Sequence, residues 1–142
     1  MAGNYYAYHH VVTPQDATVL GIAYDARYLD WACIARERMI VENGDLNQIE
    51  WPAFLTGEVS IRYLYPVFLN ESVEVRVSIG DYSEEQGRAR LIFRYVNKNG
   101  RLLAEGHQII FFVNHATGIR TSLPPTFVNL ARQFSENQKV TM

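Results

Sequence analysis

The segment Thr18-Val19-Leu20-Gly21-Ile22-Ala23-Tyr24-Asp25-Ala26-Arg27-Tyr28-Leu29-Asp30-Trp31 decides the fold, because it leads directly into the longest helical pattern of the chain. From Asp25 to Asn43 the sequence contains no Pro or Gly and is dominated by good helix formers. We expect a helix of about four to five turns over these residues.

Arg36 falls inside the apolar stripe of this predicted helix. At roughly 100° per residue, the same stripe contains Leu29, Ala32, Cys33, Met39 and Ile40. A guanidinium keeps its charge, so a buried one requires a carboxylate, backbone carbonyls, or an anionic or carbonyl-bearing ligand in a cleft. Arg36 is therefore either a structural ion pair or subunit contact, or a functional group, and the sequence leaves both interpretations open.

Composition points to an ordinary globular protein. The 142 residues are 48% apolar and 20% charged, which predicts one domain over residues 1–142. A net charge of −2 without a long basic run gives no electrostatic case for a nucleic-acid partner. No apolar run approaches the roughly 18 residues of a membrane span, and the start does not resemble a signal peptide, so we expect a cytoplasmic protein. Cys33 is the only cysteine and is interpreted as a small core residue.

The remainder of the chain shows strand patterns. A first strand is predicted over Tyr6–Thr13, and alternating apolar residues after Pro52 predict four more, around Val59–Tyr65, Val73–Ile79, Ala89–Tyr95 and Leu102–Asn114. Turn sequences at 83–87 and 97–100 favour an antiparallel meander. Gly44 is predicted to cap the long helix in the left-handed conformation, and 127–134 to form a short helix. One long helix and about five strands predict an α+β domain in which the sheet wraps the helix.

These elements and their landmark residues resemble the 4-hydroxybenzoyl-CoA thioesterase family of the hot-dog fold. The family pattern has a Gly, a Tyr-containing turn, Tyr-Leu with an aromatic residue, and an Arg-Glu pair. This chain has them in register at Gly21, Tyr24, Tyr28-Leu29, Trp31 and Arg36-Glu37. The resemblance covers roughly residues 6–127. It implies a hot-dog fold, with an antiparallel sheet of about five strands around one long central helix.

The catalytic carboxylate of that family is missing here. Three residues before Gly21 the chain has Thr18, and Asp16 matches only the non-catalytic acid of the motif. In this respect the chain resembles the thioesterases of enediyne polyketide assembly, which also lack the acid and whose mechanism is assigned to an amide side chain and an arginine. Those two positions correspond to Thr18 and Arg36. The resemblance implies a thioesterase for acyl-CoA or acyl-carrier-protein thioesters, including polyketide or β-ketoacyl intermediates, which works as a homodimer or homotetramer with clefts between subunits.

Thioester hydrolysis needs a water aimed at the carbonyl carbon and donors aimed at the developing oxyanion. The resemblance places the acyl carbonyl against the start of the long helix, where free N–H groups and the macrodipole favour negative charge. We predict that Arg36 orients or stabilises the carbonyl or a β-keto group, and that Thr18 holds the water or the acyl oxygen. The predicted substrate-binding residues are Gly21, Tyr24, Ala26 and Tyr28.

Asp25 is a competing carboxylate at the same helix entrance. It is either an N-cap that accepts the backbone N–H of Arg27 or Tyr28, or the general base. Elsewhere, one sheet face is predicted to carry a stripe of arginines that either meets the phosphates of coenzyme A or an acidic carrier protein, or is a solvated face balanced by acids. These residues are Arg62, Arg76, Arg88, Arg90 and Arg94, with Glu74 and Glu105 as the balancing acids.

Other reaction classes have weaker support. The chain has no G-x-S-x-G elbow, no glycine-rich phosphate loop and no metal-ligand spacing among its four histidines, so we expect no metal and no cofactor beyond the carrier of the substrate. A hot-dog acyl dehydratase is one alternative, although it requires a His with an acid in the cleft. A hot-dog protein that binds thioesters with weak or no turnover is the other, because Thr18 replaces the usual carboxylate.

Overall fold

The computed structural model describes residues 4–44 and 53–136. Within these two ranges, five strands and two α-helices follow one another. They are β1 (Tyr6–Val11), α1 (Asp25–Asn43), β2 (Ala53–Tyr63), β3 (Ser72–Ser83), β4 (Arg88–Asn97), β5 (Leu102–Val113) and α2 (Pro125–Gln133). A 3₁₀ turn, Pro14–Asp16, lies between β1 and α1.

Helix α1 has the predicted boundaries and supplies the centre of the core. Its buried side chains are Tyr28, Trp31, Ala32, Ala35, Met39 and Ile40. The predicted left-handed cap at Gly44 is wrong, because this residue is extended, with φ −89° and ψ 158°. Its amide donates to the Ile40 carbonyl at 2.8 Å, so the helix ends with a backbone hydrogen bond that needs no positive φ.

The sheet is antiparallel throughout, with the strand order β1-β3-β4-β5-β2. The predicted four-strand meander is therefore wrong in one respect, because only β3, β4 and β5 are consecutive neighbours. Strand β2 crosses to the far edge and pairs with β5, where Phe54 packs against Phe112 with 5.4 Å between ring centroids. The connection 64–71 then returns the chain to β3 on the other side of β4 and β5.

The sheet curves around α1, and this is the hot-dog fold. Alternate residues of β3 and β4 point at the helix and are fully buried, as the period-two pattern predicted. Helix α2 closes the core, and the ring of Phe127 lies 5.2 Å from that of Phe112. Neither described helix is long and apolar enough to cross a membrane.

Candidate functional site

An open cleft of about 680 Å³ lies at the start of α1. The loop between the 3₁₀ turn and the helix forms one wall, and the first helical turn forms the other. Thr18, Leu20, Tyr24, Asp25 and Ala26 are among its lining residues. Four of these five were predicted as site residues, and the structure brings them together.

The loop is a tight turn that positions Thr18. Gly21 has φ 77°, which favours glycine, and its amide donates to the Thr18 carbonyl at 2.9 Å. The Thr18 amide in turn donates to the Ile22 carbonyl at 2.8 Å. The Thr18 hydroxyl oxygen accepts the Leu20 amide at 3.1 Å, so its own O–H can donate to a ligand in the cleft. Gly21 itself contributes a backbone conformation and does not line the cleft.

The first residues of α1 line the cleft, and two of their backbone N–H groups are free of helical partners. Of the two interpretations of Asp25, the N-cap is wrong, since the N-cap is Tyr24, which is extended (φ −64°, ψ 144°) and makes no side-chain cap. Asp25 is the first helical residue, and the amides of Asp25 and Ala26 have no acceptor within the helix. The Tyr24 amide donates to the Asp16 carbonyl at 2.8 Å, which anchors the entrance of the helix.

A second, smaller cavity of about 230 Å³ adjoins the same helix start, and it shares Ile22, Ala23 and Asp25 with the cleft. Its other walls are Tyr28, Tyr63, Leu64, Tyr65 and Pro66, and we call it the tyrosine pocket. The predicted site residue Tyr28 therefore lies in this pocket and not in the cleft. Tyr63 is held in place because its hydroxyl donates to the Asp25 carbonyl at 2.8 Å.

Arg36 lies elsewhere. Its side chain is 12% exposed, and its Nε donates to Glu37 at 2.8 Å. Its Nη1 donates to the Gln108 side chain at 2.7 Å and to the Thr56 hydroxyl at 3.4 Å. Arg36 follows Asp25 by eleven positions along the helix, which amounts to about 16 Å along the axis at 1.5 Å per residue. The structure therefore does not bring Arg36 to the cleft of its own chain.

Gln108 was not predicted from the sequence. It lies on β5, is 1% exposed, and its amide bridges the helix by accepting from Arg36 and donating to the Cys33 sulfur at 3.6 Å. The available signal was a single amide residue next to the apolar run 109–113. A buried amide needs partners, and here it explains how the apolar stripe of α1 tolerates an arginine.

A buried polar cluster behind the cleft was also missed. Asp16 is 6% exposed, and its carboxylate accepts the Thr13 amide at 2.9 Å and lies 2.8 Å from the His10 Nε2. The other ring nitrogen of His10 lies 3.1 Å from the Tyr8 hydroxyl, and the Arg27 Nε lies 3.5 Å from Asp16. The cluster ties β1, the 3₁₀ turn and α1 together. The signal for it was the capping-box pair of Thr13 and Asp16.

Asp16 makes folding stability depend on pH. Burial opposes ionisation, but hydrogen bonds from Thr13 and His10 outweigh it and hold the pKa of the Asp16 carboxyl below its usual value. A lowered folded-state pKa adds stability above the unfolded pKa of about 4, and that stability is lost as pH falls through the folded-state value. We expect Asp16→Asn to cost about 1–3 kcal/mol at pH 7 and less at pH 3, measured by urea unfolding. The exposed Asp30→Asn is the control, and an equal cost of D16N at both pH values would contradict the assignment.

The predicted arginine stripe is balanced by acids. Arg62 pairs with Glu105, Arg76 with Glu74, Arg88 and Arg90 with Asp81, and Arg94 with Glu136. These pairs favour the solvated face over a phosphate-binding surface. Within residues 4–44 and 53–136, no three His, Cys, Asp or Glu side chains are grouped as a metal site would require. The His10–Asp16 and His107–Glu58 pairs do not line the cleft, so neither supplies the His and acid that a dehydratase needs.

Residues 12–131 match the Thioesterase-like superfamily. The chain belongs to this superfamily. No curated protein matches it. Among solved structures, it is similar to a hypothetical protein from Staphylococcus aureus in complex with CoA, with a TM-score of 0.83 and 18% identity over 100% of this chain and 91% of that chain.

Two further solved structures are similar to this member of the thioesterase-like superfamily. The dynemicin thioesterase, described for polyene binding, gives a TM-score of 0.79 at 22% identity over 92% of this chain and 97% of that one. A 1,4-dihydroxy-2-naphthoyl-CoA thioesterase from Synechocystis gives a TM-score of 0.78 at 16% identity, over 91% of this chain and 96% of that one. These likenesses confirm the hot-dog fold.

Proposed function

We propose that the protein is a cytoplasmic thioesterase that hydrolyses an acyl thioester carried by coenzyme A or an acyl carrier protein. The observation that carries the proposal is the start of α1, where the amides of Asp25 and Ala26 meet an open cleft beside the Thr18 hydroxyl. Membership of the thioesterase-like superfamily supports the reaction class. The S. aureus protein in complex with CoA and the polyene-binding dynemicin thioesterase support, respectively, a CoA carrier and a polyene-like acyl group.

In this reaction the thioester carbonyl oxygen accepts from the amides of Asp25 and Ala26, where the helix dipole stabilises negative charge. A water held by Thr18 attacks the carbonyl carbon and gives its proton to the Asp25 carboxylate. The C–S bond then breaks, the thiolate leaves, and the proton returns to the sulfur. Because a thiolate leaves easily, positioning and oxyanion stabilisation supply most of the rate.

We also propose that the smallest active unit is a homodimer. A homotetramer would consist of two such dimers. Strand β2 lies at the edge of the sheet, and within the described ranges only β5 pairs with it. At the cleft, Val19 and Leu20 are 101% and 78% exposed, which is unusual for apolar side chains on a free surface. Arg36 lies about 16 Å along the helix from the cleft of its own chain, so it can act in catalysis only at the cleft of a second chain.

A turnover assay tests the proposal. Free thiol is measured with the purified protein and a panel of acyl-CoA and acyl-carrier-protein thioesters of different chain length and oxidation state. We expect release from at least one subset well above the uncatalysed rate. Tight binding of non-hydrolysable analogues without release from any thioester would instead support a thioester-binding protein, the alternative that Thr18 at the usual carboxylate position keeps open.

The role of Asp25 is tested by Asp25→Asn. The carboxylate is exposed and lines both the cleft and the tyrosine pocket. As general base it should contribute about 10²-fold to kcat, and its loss should leave the melting temperature nearly unchanged because the side chain makes no cap. Glu42→Gln, at the other end of α1, is the matched control. Full activity of D25N would show that water attacks without this carboxylate.

A further inference from the structure

The tyrosine pocket is the wrong size for a whole substrate. Its volume of about 230 Å³ lies below the roughly 300–1,000 Å³ of typical ligand sites, whereas the adjoining cleft, at about 680 Å³, lies within that range. The two cavities meet at Ile22, Ala23 and Asp25, where the thioester carbonyl would bind. One substrate can therefore place its carrier arm in the cleft and its acyl group in the pocket.

The walls of the pocket are aromatic and held in place. Tyr28 and Tyr63 pack edge to face, with ring centroids 5.0 Å apart and planes at 88°. The Tyr63 hydroxyl is bonded to the Asp25 carbonyl, and the Arg101 guanidinium lies 4.1 Å from the centroid of the Tyr65 ring. Fixed aromatic rings favour flat π-systems, which pack on them by stacking or edge contact, over flexible alkyl chains.

The Tyr28 hydroxyl is a donor without a protein acceptor in this part of the molecule. The residue is 3% exposed, and within residues 4–44 and 53–136 its hydroxyl makes no hydrogen bond. In the same ranges no fully enclosed side-chain nitrogen or oxygen lacks a partner, so the Tyr28 oxygen is not fully enclosed, and Tyr28 is a wall of the tyrosine pocket. Burial, with the nearby Tyr63 and Asp25, raises the pKa of Tyr28 to about 12, so the group stays a donor at neutral pH.

We propose that the tyrosine pocket binds the acyl group of the substrate and selects a conjugated or aromatic acyl group that carries an oxygen, keto or hydroxyl, to accept the Tyr28 O–H. This inference rests on the proposed thioesterase function and specifies its substrate class. A site with a buried donor discriminates strongly against analogues that lack the acceptor, because the donor is then left unpaired. Shape complementarity alone discriminates less.

The test uses four CoA thioesters that vary two properties independently. These are benzoylacetyl-CoA and 3-phenylpropanoyl-CoA, with and without the keto group, and the linear 3-oxononanoyl-CoA and nonanoyl-CoA. We expect kcat/KM to be highest for benzoylacetyl-CoA, with a preference of about 10-fold or more for each keto compound over its deoxy partner. Amide analogues of the same four, in which N–H replaces the thioester sulfur, give the binding order independently of turnover.

Variants separate the two contributions. Tyr28→Phe removes only the hydroxyl and should abolish the keto preference while the aromatic preference stays, whereas Tyr65→Leu should do the reverse. Tyr95→Phe is the control for the first, because the Tyr95 hydroxyl donates to the Tyr28 carbonyl at 2.7 Å and does not line the pocket. Tyr82→Leu, an exposed tyrosine on β3, is the control for the second.

The outcomes distinguish the two proposals. Turnover with no keto or aromatic preference, or preferences unchanged in Y28F and Y65L, would overturn the pocket assignment and leave the thioesterase function intact. Amide analogues that bind with the expected order while no thioester is hydrolysed would support the pocket and overturn the thioesterase function. If the aromatic compounds are neither bound nor hydrolysed, the pocket assignment is also overturned.

Discussion

Replacing Arg36 with Ala is expected to lower kcat by about 10²- to 10³-fold, the usual effect of removing one preorganised donor to a developing oxyanion. Under the proposed dimer, Arg36 of one chain acts at the cleft of its partner, and its guanidinium is held in one orientation by Glu37, Gln108 and Thr56, 5.1 Å from the Phe54 ring centroid. The measurement is kcat and KM on the best substrate of the thiol-release panel. Arg38→Ala, an exposed arginine on the same helix, should retain activity.

The stability of R36A must be measured together with its activity. The substitution also leaves the buried side-chain oxygen of Gln108 without its donor, which should lower the free energy of unfolding by about 1–3 kcal/mol. Assays are therefore run well below the melting temperature of the variant. Full activity of folded R36A would show that the arginine only satisfies Gln108. In that case the start of α1 and Asp25 would carry the reaction alone.

Mixing two inactive variants shows whether Arg36 acts across a dimer interface. If Thr18 of one chain and Arg36 of another form each site, a refolded equimolar mixture of T18A and R36A should recover about a quarter of wild-type activity, because half the dimers contain one intact site of two. If both residues serve the same chain, the mixture should stay inactive. Wild type refolded in the same way is the reference.

Replacing Gly87 with Ala is expected to destabilise the fold by about 3–5 kcal/mol, one of the largest effects of a single methyl group in this chain. Gly87 has φ 65°, and an added Cβ would overlap the Thr121 carbonyl. Its own carbonyl accepts the Phe112 amide at 2.8 Å, so the backbone cannot shift without breaking the end of β5. Urea or thermal unfolding followed by circular dichroism measures the loss.

Gly100→Ala separates the two causes. Gly100 has φ 85°, but nothing lies within 4 Å of the added Cβ. We therefore expect G100A to lower the free energy of unfolding by only about 1 kcal/mol, from the backbone conformation alone. A G87A variant no less stable than G100A would mean that the 121 segment moves away freely and that the contact with Thr121 is unimportant.

The fold was predictable because its signals are local. Nineteen residues without a helix breaker specified α1, and alternating residues in β3 and β4 specified their buried faces. The position of β2 was not predictable, because pairing with β5 depends on packing between residues such as Phe54 and Phe112, which are far apart in the chain. The end of α1 at Gly44 failed for a related reason, since glycine permits a left-handed cap without requiring it.

The site was only partly predictable. Thr18, Tyr24, Asp25 and Ala26 adjoin one another in sequence, so a single loop and helix start necessarily gathers them. Arg36 was correctly placed on the buried stripe, but its partner Gln108 lies on another element, and contacts at that range have no local signature. The same limit hid the pairing of His10 with Asp16, which join only when the 3₁₀ turn brings the loop back to β1.

The open edge of β2 has a consequence for how the protein is made. The inner side of the strand pairs with β5, but on its outer side about half of the backbone donors and acceptors of its eleven residues have no strand partner within residues 4–44 and 53–136, and they can recruit an extended chain. The strand contains no proline or lysine, and its only charged side chains are Glu58 and Arg62. A newly synthesised chain can therefore associate with others in an amyloid-like way until another chain or segment covers the β2 edge. Expression at low temperature, or together with a chaperone that guards exposed strands, should raise the soluble yield.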